Sequence, residues 1–185
     1  MRGFCGPFGV FVRSYAYIRS YGPALREMSE VAVLNANYLL ARLRDDYELP
    51  YDRLCMHEFV VSARPLKREH GVTALDVAKR LMDHGFHPPT IYFPLVVPEA
   101  LMIEPTETEA KEVLDAFCDA LVAIAREAAE QPELLKEAPH GRPVGRLDEV
   151  KAAKRAVVRY LFEDHPDLSD TPPQEPRQLE AQKGA

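Results

Sequence analysis

No stretch of this sequence approaches the roughly 18 consecutive apolar residues that a membrane-spanning helix needs, so no such span is expected. A signal-like apolar core is missing as well, because Gly3, Gly6, Pro7 and Gly9 break up the segment after Arg2. Cysteine is scarce. Cys5, Cys55 and Cys118 are an odd number at wide spacing and form neither a CxxC pair nor a zinc pattern. Thiols rather than a disulfide framework are expected, and with them a cytoplasmic protein. Positive charge is in deficit. Lysine and arginine total 23 against 29 acidic residues, a net charge of -6, which argues against nucleic acid as a partner. There is no phosphate loop, no dinucleotide fingerprint and no GxSxG elbow. His57-Glu58 begins like a zinc-binding helix motif, but Val61 stands where the second histidine is required, so no metal site is expected.

What is present is an ordinary globular composition. At 185 residues the chain has room for one domain, or a small domain with an appendage. Proline is unevenly spread: Pro166, Pro172, Pro173 and Pro176 fall among polar residues near the end. Such a tail buries too little apolar surface to offset its ordering entropy, so 166–185 is expected to be disordered.

Phe8, Phe11 and Tyr15 recur at helical spacing and predict a helix over about 8–20, broken at Gly22-Pro23. A second helix is predicted from Pro23 to about Asp46. It carries two apolar stripes, one through Leu25, Met28, Ala32, Ala36, Leu39 and Leu43, the other through Val31, Leu34 and Tyr38. So wide an apolar surface implies contacts on several sides. Asn35 and Asn37 interrupt it, and each needs a polar partner in a neighbouring segment, inside the chain or beyond it.

Cys55–Ser62 reads as a strand and Arg64–Gly71 as a polar loop. Thr73 with Asp76 starts a helix that Gly85 ends in a left-handed cap. Thr90–Pro94 and Ala100–Glu104 are predicted strands, and Thr106 with Glu109 makes a capping box for a helix running to about Ala129. The order is β-α-β-β-α, a small α/β (α+β) domain with helices on one face of a short sheet. The predicted organisation is a helical segment at 1–54, the small domain at 55–131, a connection and polar helix at 132–165 with helix over Leu147–Phe162, and the tail.

Two histidines are candidate site residues. His87 is pinned in a turn before Pro88-Pro89. That turn either presents a polar group at the lip of an active site or is a plain surface turn. His57 lies at a strand start beside Glu58, where it either faces a cleft or pairs with a carboxylate. The basic run Arg64, Lys67, Arg68 and His70 is either solvated or a surface for an acidic partner.

Several contiguous motifs add a resemblance. These are Phe4-Cys-Gly-Pro-Phe-Gly9, Leu49-Pro-Tyr-Asp-Arg53, Met56-His-Glu-Phe-Val60, His84-Gly-Phe-His-Pro-Pro-Thr90, Val96-Val-Pro-Glu-Ala-Leu-Met-Ile-Glu-Pro-Thr106, Glu137-Ala-Pro-His140 and Gly145-Arg-Leu-Asp-Glu-Val150. Over about residues 2–160 the chain resembles the C-terminal part of the glycine decarboxylase family, the P-protein of the glycine cleavage system, and within it the second subunit. Cys5, where the family usually has tyrosine, and the proline-rich tail depart from it.

The resemblance implies a fold similar to pyridoxal-phosphate enzymes of type I, in which a small C-terminal domain closes over a large cofactor-bearing one. It implies glycine as substrate and pyridoxal 5'-phosphate as the electron sink for decarboxylation. The implied partners are the large domain, or subunit 1, and the lipoyl arm of H-protein, which receives the aminomethyl group. The family's cofactor lysine has no counterpart here, since Lys67, Lys79 and Lys111 sit in polar settings. No cofactor is therefore expected on this chain alone, nor activity. The rival expectation is a non-catalytic α/β module that binds a ligand or partner.

Overall fold

The computed structural model describes residues 5–155. The tail expected to be disordered, and residues 156–162 of the helix predicted over 147–162, lie outside them. The chain divides after Arg146 into two units. Of the second, α7 (Glu149–Lys154, numbered last in chain order) is described, started by the Asp148 carboxylate accepting from the Lys151 amide.

The first unit begins with α1 (Phe8–Tyr21), a 3-10 turn at Gly22–Ala24 and α2 (Leu25–Leu43). Then come β1 (Phe59–Ser62), α3 (Arg64–His70), α4 (Ala74–Asp83), β2 (Thr90–Ile91), β3 (Ala100–Ile103), α5 (Lys111–Glu130) and α6 (Pro132–Lys136). The strands form one antiparallel sheet in the order β1-β3-β2. Phe59 pairs with Ile103, and Ile91 pairs with Leu101. The architecture is the expected mixed α/β kind. α5 packs against α2, α3, α4 and α6, and its Leu114, Leu121 and Ile124 share one core with Leu39, Leu43, Val61, Val77, Leu81 and Leu101.

α4 follows its local signals closely. Thr73 and Asp76 complete a reciprocal capping box. At the other end Gly85 takes φ 86°, its amide donates to the Met82 carbonyl and the Phe86 amide donates to the Leu81 carbonyl. That pair of bonds is a Schellman closure, and it turns Phe86 back against Phe117 with ring centroids 5.4 Å apart.

Elsewhere the structure corrects the sequence reading. Arg64–His70 is a helix, not a loop: Pro65 sits in its first turn, where a missing amide costs nothing, and Leu66 is buried beneath it. The Thr106–Glu109 capping box does not form, and α5 starts only after Ala110. Instead the Thr106 carbonyl accepts from the Glu109 amide and from Asn35 Nδ2 at 2.9 Å, which closes a turn before the helix. β1 is shorter than predicted because Asn37 holds the Cys55 backbone off the ladder, with Nδ2 donating to its carbonyl and Oδ1 accepting from its amide. β2 ends at Ile91, where Tyr92 turns the chain at φ 63°. The connection after Gln131 is not wholly irregular: it begins with α6, which has Pro132 in its first turn and Leu135 buried.

Arg80 on α4 bridges Glu127 on α5, at 2.8 and 2.9 Å, and Asp83 one turn on. Asp83 also accepts from the amides of His140 and Gly141. Burial pulls the Asp83 carboxyl upward, but those two amides and Arg80 outweigh it and hold it below the usual range. The hydrogen bond from Arg80 does the same for Glu127. Both folded values therefore lie below the unfolded ones, near 4. The stability they add is complete above that range and is lost as pH falls through the folded values. The melting temperature is expected to be flat down to about pH 5 and to fall below it. Asp83→Asn should lower the plateau and make the acid fall shallower. A fall as steep as the parent's would remove Asp83 from this role.

Candidate functional site

The groove with the most chemistry lies between the β2 side of the sheet and the start of α5. It has a volume of about 370 Å³. Phe86, Leu114 and Phe117 supply apolar lining, and His87, Thr90, Glu104 and Glu109 supply polar groups. The Schellman closure of α4 positions one wall. The antiparallel pairing of β3 with β1 and β2 positions the other.

His87 is exposed at this groove, and among the described residues no hydrogen bond holds its imidazole. His57 is not in the groove. It precedes β1 and lines a second depression with the exposed Leu54 and Met56. Its Nε2 stands 3.8 Å from Glu104 Oε1, beyond hydrogen-bond reach, and both side chains are more than half exposed. Glu104 therefore connects the two candidates: it lines the groove with His87 and faces His57 across the sheet end. In sequence it is merely the last residue of a strand, and only strand pairing reveals it.

The two asparagines of α2 explain how the rims hold their shape. Asn35 fixes Thr106, and Asn37 fixes Cys55. The segments they needed as partners are within this chain. The basic run is largely spent on internal pairs: Arg64 with Glu48, Lys67 with Glu99 and Arg68 with Glu69.

Cys55, Cys118, Lys67 and Lys111 are not placed as activated nucleophiles. Burial raises the Cys55 thiol and pushes the Cys118 thiol up to about 11, the reverse of a reactive thiolate. Hydrogen bonds to Glu99 and Asp115 raise Lys67 and Lys111, the reverse of an amine poised to link a carbonyl cofactor. Lys136 is tied to Glu133. Lys67, Lys111 and Lys136 thus do not suit the attachment of pyridoxal phosphate. No described group of three or more His, Cys, Asp and Glu is arranged around a metal position either.

Residues 28–140, which include most of α2, everything from β1 through α6 and the whole groove, match the family model for the glycine dehydrogenase C-terminal domain. The chain belongs to that family. It is 58% identical over 161 residues to a probable glycine dehydrogenase (decarboxylating) subunit 2 of Bacillus velezensis, a match covering 86% of this chain and 33% of the relative. A protein of the same description from Listeria innocua is 55% identical over 164 residues, covering 88% and 33%. One from Alkaliphilus oremlandii is 58% identical over 161 residues, covering 86% and 33%. The chain spans about a third of the length of the curated relatives it matches. Both candidate histidines, Glu104 and the two asparagines fall within the family match.

Proposed function

We propose that this chain is the C-terminal portion of a cytoplasmic, pyridoxal-phosphate-dependent glycine decarboxylase, and that its groove faces the reaction centre of the assembled enzyme. The reaction releases CO2 from glycine and passes the aminomethyl group to lipoylated H-protein. The cofactor supplies the electron sink for decarboxylation and is held by the remainder of the protein, a reading supported by Lys67 and Lys111, whose carboxylate partners raise rather than lower them. By itself the chain is not catalytically competent.

The observation that carries this reading is the family match over a groove in which His87 stands with no hydrogen-bond partner among the described residues. An imidazole held in a turn by a left-handed glycine and two prolines has little loop entropy left to lose on engaging a ligand. The surface of the helices points the same way. α1 buries none of its residues, Phe8, Tyr15 and Leu34 are exposed, and so residues 1–54 are read as the segment that meets the large domain.

The test is His87→Asn in a complete, cofactor-loaded glycine dehydrogenase carrying this C-terminal sequence, assayed with H-protein. Turnover is expected to drop about tenfold or more, roughly 1.4 kcal/mol of barrier, with the fold intact. Unchanged turnover together with unchanged glycine affinity would make His87 a plain turn residue.

A further inference from the structure

The rim of the groove between β3 and α5, residues 104–109, has no regular secondary structure. Three of its residues, Glu104, Pro105 and Glu109, line the groove. Glu107 does not. Its carboxylate is turned toward α1, where Oε1 accepts from Tyr17 Oη at 2.5 Å and from Tyr21 Oη at 3.1 Å. The tyrosines are four residues apart on one face of α1, with ring centroids 4.7 Å apart, so the helix presents them as a pair. Among the described residues these are the only side-chain hydrogen bonds from α1 to another element. The bond from Tyr17 also holds the Glu107 carboxyl below its usual range, consistent with an ionised acceptor. From the other side, Asn35 of α2 holds the adjacent Thr106 carbonyl.

We propose that Glu107 is a positioning residue that ties α1 to the groove rim, so that the pose of α1 sets the position of Glu104 and Glu109 in the groove they share with His87. This rests on the groove being the reactive one. The rim is short and irregular, and few bonds order it, so the loss of one pair of bonds loosens it locally without unfolding the core. Tyr17 and Tyr21 are joined to their partner across 90 and 86 residues of chain, so the tie exists only in the folded unit. α1 buries none of its residues here. Whatever covers its apolar surface in the assembled enzyme is thereby connected to the groove through one carboxylate.

The test uses Glu107→Ala, the double variant Tyr17→Phe/Tyr21→Phe, the triple variant, and Glu107→Gln, whose carbonyl still accepts from both phenols. In this chain, amide hydrogen exchange of Glu109, whose amide donates to the Thr106 carbonyl, should quicken about tenfold in Glu107→Ala and in the double variant, and stay near the parent rate in Glu107→Gln. In the complete enzyme, kcat/KM for glycine should fall about fivefold in the first two and recover in Glu107→Gln. The triple variant should be no worse than Glu107→Ala, because all three residues serve one interaction. Unchanged exchange overturns the tie whatever the groove does. Faster exchange with unchanged kcat/KM overturns the coupling, and the His87→Asn result then separates the cases. A silent His87 variant removes the groove reading too, while a slow one removes the coupling alone. Additive losses in the triple variant also overturn it.

Discussion

Leu101→Ala should destabilise the first unit by about 3 kcal/mol. Leu101 sits in β3, the middle strand, between Val61 of β1 and Ile91 of β2, and it is fully buried. Its side chain faces a core built from α2, α4 and α5, so a cavity there cannot collapse by moving one loop. At roughly 2–4 °C per kcal/mol, the melting temperature should fall by about 6–12 °C. In urea the midpoint should fall with an unchanged slope, since the surface exposed on unfolding barely changes. Leu95→Ala is the control. That side chain is 80% exposed in the β2–β3 loop, and its loss should cost within about 0.5 kcal/mol. Equal effects of the two variants would mean that the middle strand does not face the core.

Glu99→Ala should cost about 2 kcal/mol. Glu99 lies just before β3 at φ 51°, a conformation that non-glycine residues keep only where surrounding contacts compel it. Three contacts do so. Its carbonyl accepts from the Ala63 amide, Oε2 accepts from the buried Ala74 amide at 2.8 Å, and Oε1 takes the Lys67 ammonium. The second of these satisfies an amide at the first turn of α4, where a negative charge also suits the helix dipole. Truncation leaves that buried amide without an acceptor, which is the larger part of the cost. Glu99→Gln keeps an acceptor for that amide and loses the pairing with Lys67, whose half-exposed ammonium is left to water rather than buried unpaired. The glutamine variant should therefore retain more than half of the lost stability, as read from thermal melts of the three proteins. Equal losses would place the energy in the ion pair rather than in the buried amide.

Several features are legible in the sequence because their causes are local. Thr73 and Asp76 cap α4 through atoms three residues apart, and Gly85 closes it within one turn. The Phe8, Phe11 and Tyr15 spacing located α1, and the motifs over 84–106 pointed to the family that the comparisons then showed. The need of Asn35 and Asn37 for partners was also readable, because asparagine in an apolar helix must satisfy its amide.

Where a local signal competed with a distant partner, the sequence misled. Thr106 and Glu109 have the spacing of a capping box, yet Asn35, 71 residues away, takes part in closing Thr106 into a turn instead. Arg64–His70 looked like a polar loop because its one buried anchor, Leu66, shows its value only once α5 lies beneath α3.

The sequence by itself determined the family, the helix boundaries that end in their own caps, the presence of a short sheet with helices on one face, and the turn that pins His87. Those depend on dihedral preferences and contacts a few residues apart. Tertiary structure alone decided that Glu104 joins His87 in one groove, that His57 stays outside it, and that Glu107 reaches Tyr17 and Tyr21. Each of these is a meeting of segments far apart in the chain. No spacing rule encodes such a meeting, because the position of each partner is set by the packing of the whole core.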